Sequence, residues 1–186
     1  MLDGEKKLIK RAIKGEAQAF GLLYDHYQPQ IYRFIYLKVS HREEAEDLTH
    51  QVFFNSWSRM ADYKHRGFPF SSWLYQIARN EVIDYYRTKK SHLDIEDVIS
   101  EDISLPDFDD SIQITIDVKI DTEKVKEAIK LLKPIEQDVI ILRFVEDLSP
   151  SEVATVVDKT SQAVRIIQHR AIKSLKQILE STKNGK

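Results

Sequence analysis

AEDLTHQVFFNSWSRMADYKHRGFPFSSWLYQIARNEVIDYYR, residues 45–87, separates acid, aromatic and base along its length in a way that core packing alone does not require. It reads as two helices joined by a solvated loop. In the first, Leu48, Val52, Phe53 and Trp57 recur at steps of three and four residues and share one face, while Glu43, Glu44, Glu46, Asp47 and Gln51 fall largely elsewhere. The loop, 61–69, carries Tyr63, Lys64, His65, Arg66, Gly67 and Phe68, and Ser71 stands where an N-cap is expected. The second helix turns Trp73, Leu74, Ile77, Ala78, Val82 and Tyr85 inward, leaving Gln76, Arg79, Asn80, Asp84 and Arg87 toward solvent. Between Lys64 and Lys90 six Lys or Arg stand against Glu81 and Asp84 alone. A basic loop with aromatics suits unpaired nucleic acid, because cations follow phosphates and each stacked base contributes roughly 1–3 kcal/mol.

Outward from this stretch, the N-terminal side reads as two more helices. Residues 2–15 form a short amphipathic helix with Leu8, Ile9, Ala12 and Ile13 inward, closed by Gly15. Residues 16–39 keep the helical period through Phe20, Leu23, Tyr24, Tyr27, Ile31, Phe34, Ile35 and Val39, and Pro29 predicts a kink or restart. Ser40 is expected to cap the acidic helix. Residues 1–92 are thus a helical bundle with its own core. Over 93–121 periodicity fails until 112–121, where SIQITIDVKI alternates as a strand would. With no partner strand, the tract reads as a flexible linker, or as an extended segment able to pair with a partner's sheet edge.

Residues 122–186 return to helices. Val125, Ala128, Ile129 and Leu132 face inward, Pro134 marks a break, and a further helix over 135–145 turns Val139, Ile140, Leu142 and Phe144 to the core. Ser149-Pro150-Ser151-Glu152 then presents a capping box with proline at the first helical position. A short helix over 150–157 follows. Asp158 and Lys159 turn the chain, aspartate being one of the few residues that tolerates a left-handed backbone. A long helix runs from 160 to about 179, which makes the unit a helix-turn-helix. Its inward stripe is Ala163, Val164, Ile167, Ala171, Leu175 and Ile178; Ser161, Gln162, Arg165, Gln168, His169, Arg170, Lys173 and Lys176 remain accessible. From Lys159 to Lys176 there are five bases and no acid, and the N-terminal third is placed to enter a major groove, where Arg reads guanine and Gln adenine.

Composition sets the outer limits. With 42% hydrophobic and 31% charged residues in 186, the chain is globular and long enough for two small domains. The net charge of −2 divides into +4 over 1–92, −9 over 93–121 and +3 over 122–186, so two basic blocks flank an acidic strap. Cysteine is absent, which excludes disulfides and thiolate metal sites. Residues 1–14 scatter charge where a signal core would be apolar, and the longest aliphatic run, 139–142, is far too short to span a bilayer, so a cytoplasmic protein without membrane insertion is expected. Asp47 and His50 share a metal-bundle spacing without the second copy that such a site needs, so no metal is expected. No nucleophile-and-base pair or Gly-rich phosphate loop occurs. Neither catalysis, a cofactor nor a small-molecule substrate is expected.

The quoted stretch resembles conserved region two of bacterial sigma factors, in particular the small extracytoplasmic-function (ECF) group of the sigma-70 family. LKPIEQDVIILRFVEDLSPSEVATVVDKTSQAVRIIQHRAIKSL, 132–175, resembles region four, although Asp158 stands where the family commonly has glycine. The resemblance implies an all-α protein of two small helical domains, 1–92 and 122–186, joined by an acidic flexible linker, 93–121. It implies a non-catalytic initiation factor that docks on core RNA polymerase and reads promoter DNA. Asp47, Leu48, Gln51 and Phe54 would grip the clamp helices of the largest polymerase subunit, and region four would meet the flap of the second-largest. Tyr63, Lys64, His65 and Phe68, with Arg79, Asn80 and Asp84, would capture the single-stranded downstream (minus-10) element. Ser161, Gln162, Arg165, His169, Arg170 and Lys173 would read the upstream (minus-35) element as duplex. An anti-sigma factor, able to hold the protein at the membrane, is the remaining implied partner. The residues alone also allow a stand-alone helix-turn-helix regulator with an N-terminal sensing bundle.

Overall fold

A computed structural model describes residues 4–64, 67–91 and 122–184, and every regular element among them is helical. The strand-like segment at 112–121 lies outside the described residues. Helix α1 (Glu5–Ile13) packs on α2 (Ala17–Val39), which packs on α3 (Arg42–Ser58) and α4 (Phe70–Ser91); a single 3-10 turn, Met60–Asp62, follows α3. Leu23, Ile31, Phe34, Ile35, Val52, Phe70, Leu74, Ala78 and Val82 fill the centre. Their spacing is the one the apolar period predicts. Glu5, buried at the start of α1, accepts a 2.7 Å hydrogen bond from the Tyr27 hydroxyl and fastens α1 across α2. Burial, reinforced by that carboxylate, pushes the Tyr27 phenol well above its ordinary range.

Three local expectations in this bundle are corrected. Pro29 lies inside α2 without a restart: proline removes one donor, yet the helix continues on either side, with Tyr27 and Ile31 both in the core. Ser40 does not cap α3. It closes α2 instead, in the left-handed region at φ 56°, with its N–H on the Tyr36 carbonyl at 2.8 Å. The N-cap position falls to His41, whose side chain makes no capping bond. Ser71 lies within the first turn of α4, because the Pro69 carbonyl already accepts from Ser72 N–H at 3.1 Å. Tyr75, which the apolar spacing of α4 passed over, is among the largest fully buried side chains.

The second block begins with α5 (Thr122–Lys130) and α6 (Pro134–Ile140), the latter with proline at its first position. At Ile141–Val145 the backbone widens into a π turn, and Glu146 N–H reaches back five residues to the Ile141 carbonyl at 3.0 Å. The sequence period assumed an unbroken α pitch here. Under that pitch Phe144, four residues after Ile140, points to the core; the wider turn carries it outward, to 56% exposure, while Ile141 and Leu142 are buried.

Helix α7 (Pro150–Val157) has the expected capping box, with Glu152 N–H on Ser149 Oγ at 3.3 Å and Ser149 N–H on Glu152 Oε2 at 2.7 Å. Asp158 takes the left-handed conformation at φ 54°, and α8 (Ser161–Asn184) completes the helix-turn-helix. Helix α8 packs on α5, α6 and α7 through Val164, Ile167 and Ala171; Ile166 is also buried.

The two blocks lie against each other. Helix α4 packs on α7, and α2 touches α5 and the π turn, so the buried apolar side chains of both blocks form one continuous cluster.

Replacing Ser149 with alanine removes the α7 N-cap, and should lower unfolding free energy by about 1 kcal/mol in urea titration.

Candidate functional site

The accessible face of α8 is built by the turn before it. Thr160 Oγ1 accepts from Ala163 N–H at 3.1 Å and starts the helix. Downstream, Gln162, Arg165, His169, Arg170 and Lys173 are exposed and Ser161 is half-buried, so the sequence-predicted set shares an open surface. Gln168 departs from expectation: it is half-buried, and its Oε1 accepts from Arg143 Nε at 3.0 Å. Arg143 also donates to the Leu148 carbonyl, tying the π turn to α8 ahead of the capped helix. Sequence reasoning passed over Arg143 because its partners depend on that turn.

The loop after α3 divides by burial. Lys64 is exposed and Phe68 half-buried, whereas Tyr63 sits in the core, its ring 4.9 Å from Trp73 and 5.3 Å from Phe70 between centroids. Burial raises the Tyr63 phenol pKa, with the Glu5 charge adding to it. Tyr63 is thus a floor beneath the loop. His65 and Arg66 lie outside the described residues. On α4, Asn80 and Asp84 are exposed, and Asp84 pairs with Arg87 at 3.0 Å. Arg79 is half-buried and donates through Nε to Asp138 Oδ2 at 2.8 Å, across the boundary between the blocks.

The acidic shoulder of α3 presents Asp47 and Gln51 outward, Leu48 half-buried, and Phe54 65% exposed. Beside Phe54 runs an open apolar groove lined by Phe20, Tyr24, His50, Phe53 and Trp57. Phe20 and Trp57 stack at 4.9 Å and fix its floor. Asn55 Nδ2 donates to Glu81 Oε1 at 2.6 Å and accepts from Gln51 Nε2 at 3.1 Å, which locks this face of α3 to α4. Among the described residues no cluster of acids and histidines could hold a metal ion, and no helix is long and apolar enough to cross a membrane.

Comparison with known proteins agrees with this arrangement. Residues 23–92 match the model for sigma-70 region 2, and residues 128–177 match that for sigma-70 region 4. The chain is 33% identical to the ECF RNA polymerase sigma factor BldN of Streptomyces coelicolor over 173 residues, 93% of this chain and 65% of the relative's length. It is 28% identical to the ECF RNA polymerase sigma factor SigW of Bacillus subtilis, covering 94% of this chain and 96% of that protein. The fold is that of CnrH, solved in complex with the cytosolic domain of CnrY, with a TM-score of 0.71 at 20% identity over 95% of this chain and 97% of that one. With both region models matched in order on an all-helical chain, this protein belongs to the sigma-70 family, in its extracytoplasmic-function group.

Proposed function

We propose that the chain is an ECF sigma factor that docks on core RNA polymerase and directs initiation at promoters bearing two recognised elements. The observation that carries this reading is the joining, in one chain, of an exposed basic face on α8 behind a capped turn with an exposed acidic and apolar face on α3. Asp47 and Gln51 supply charge and hydrogen bonding to the clamp helices of the largest subunit, and Phe54 supplies apolar area beside Leu48. Region four meets the flap of the second-largest subunit. Gln162, Arg165, His169, Arg170 and Lys173, with Ser161 near the helix start, face the upstream duplex; the first turns of a recognition helix enter the major groove, where such side chains reach base edges.

Downstream, Lys64, His65 and Phe68 with Asn80, Asp84 and Arg79 take the exposed strand, and Tyr63 holds the loop from beneath. Unstacking a base costs energy that a fitted pocket offsets. No catalytic step falls to the chain, and no cofactor or small-molecule substrate is needed. It works in the cytoplasm, where an anti-sigma factor is the expected antagonist. The complex of CnrH with a cytosolic domain supports a partner of that kind, which can keep the protein near the membrane.

Run-off transcription with purified core polymerase and fragmented genomic DNA should give discrete transcripts only when the chain is present. Firm binding to duplex sites without polymerase, and no transcripts, would instead identify a stand-alone regulator. Asp47→Arg should abolish co-purification with core enzyme while leaving the helical circular dichroism unchanged. Arg165→Ala should weaken upstream-element binding by about 1–3 kcal/mol and relax sequence preference there.

A further inference from the structure

Two carboxylates of the second block reach into the first. Asp138, on α6, has a side chain only 2% exposed; it accepts from Lys38 Nζ, itself 3% exposed on α2, and from Arg79 Nε on α4 at 2.8 Å. Glu146, at the end of the π turn, has a side chain 1% exposed. It takes both Nε and Nη2 of Arg33 at 2.7 Å, and the Tyr75 hydroxyl at 2.8 Å. These carboxylates are the only acids of the second block whose side-chain bonds, among those described, cross to the first. Glu146 also holds the Arg33 guanidinium above its ordinary range.

We propose that Asp138 and Glu146 latch the second block onto the first, and that the closed chain thereby withholds Arg79 from nucleic acid until the blocks separate. The proposal rests on the reading of Arg79 as a strand-facing residue. The geometry is selective. Asn80 and Asp84 stay exposed one residue and about one turn on, and the basic face of α8 stays open, so closure covers the single-strand surface at one arginine and leaves the duplex-reading helix accessible.

A carboxylate is also the right occupant, since it offers a guanidinium the same planar pair of acceptors that a phosphate does. The two therefore compete for Arg79. Buried ion pairs lose much of their Coulomb gain to desolvation, so such a latch fixes one arrangement of the blocks without making it irreversible. Core polymerase, by binding each block at its own site, can draw them apart.

The chain has no cysteine, so Asp25→Cys and Gln177→Cys, both at exposed positions, accept a dye pair without further change. Energy transfer between the dyes reports closure, and a fluorescent pool of random-sequence 20-mer single strands reports strand binding. Asp138→Asn with Glu146→Gln should lower transfer and tighten strand binding. The gain is about tenfold if the closed form is nine-tenths of the population. Adding Arg79→Ala should remove that gain.

Unchanged transfer in the folded double variant overturns the latch. Lower transfer with unchanged strand affinity overturns the withholding of Arg79. Run-off transcription by the unsubstituted chain, measured alongside, tests the sigma-factor reading separately. If the double variant loses its helical circular dichroism, the charge swap at the half-exposed partner decides: Arg33→Glu should open the chain and Glu146→Arg added to it should close it again. No change in transfer through both steps overturns the proposal.

Discussion

A single carboxylate, Asp138, sits out of solvent between two cations that approach from different helices, Lys38 on α2 and Arg79 on α4. Charge so placed is stable only as a set. Removing one member of such a group costs about 3–5 kcal/mol, because the survivors remain desolvated without a counter-charge. Around this point the blocks are held in one register: α4 runs along α7, and the apolar cluster passes from Leu74 and Ala78 to Val153 and Val157 without a break. Apolar contact alone would tolerate sliding. The Asp138 and Glu146 bonds do not, since each acceptor has donors at fixed positions on two helices.

The same chain keeps its expected contact surfaces apart from that interface. Phe54 and Asp47 on α3, and Arg165 and Arg170 on α8, are exposed although the blocks are packed together. Polymerase docking and duplex reading can therefore begin on the closed form. The surface expected to take a single strand is the one that closure touches, which orders the events: a melted strand is needed last.

Local chemistry was legible in the sequence wherever it depends on neighbours. The Ser149–Glu152 box, the left-handed Asp158, the inward stripe of α2 and the open face of α8 follow from residue type and period. Ser40 and Ser71 misled because the preference of serine for an N-cap says nothing about which carbonyl already holds the first helical bond. Phe144 misled because a period of 3.6 cannot register one widened turn. Tyr63 looked like a loop aromatic and is a core one, since flanking Gly and basic residues mark a loop without showing what packs beneath it. The Lys38–Asp138 pair, 100 residues apart, had no local signature at all.

The widened turn at 141–145 carries one consequence beyond its own neighbourhood. A π turn amounts to one residue more than the α pitch accommodates, and each residue rotates a helix by about 100°. Loss of one codon there would swing the carboxylate of Glu146 away from Arg33 and Tyr75 while leaving every promoter-facing side chain intact. Lineages descended from such a gene could thus reset how tightly the protein rests between rounds of use by a change in length, with no alteration to its vocabulary of DNA sites.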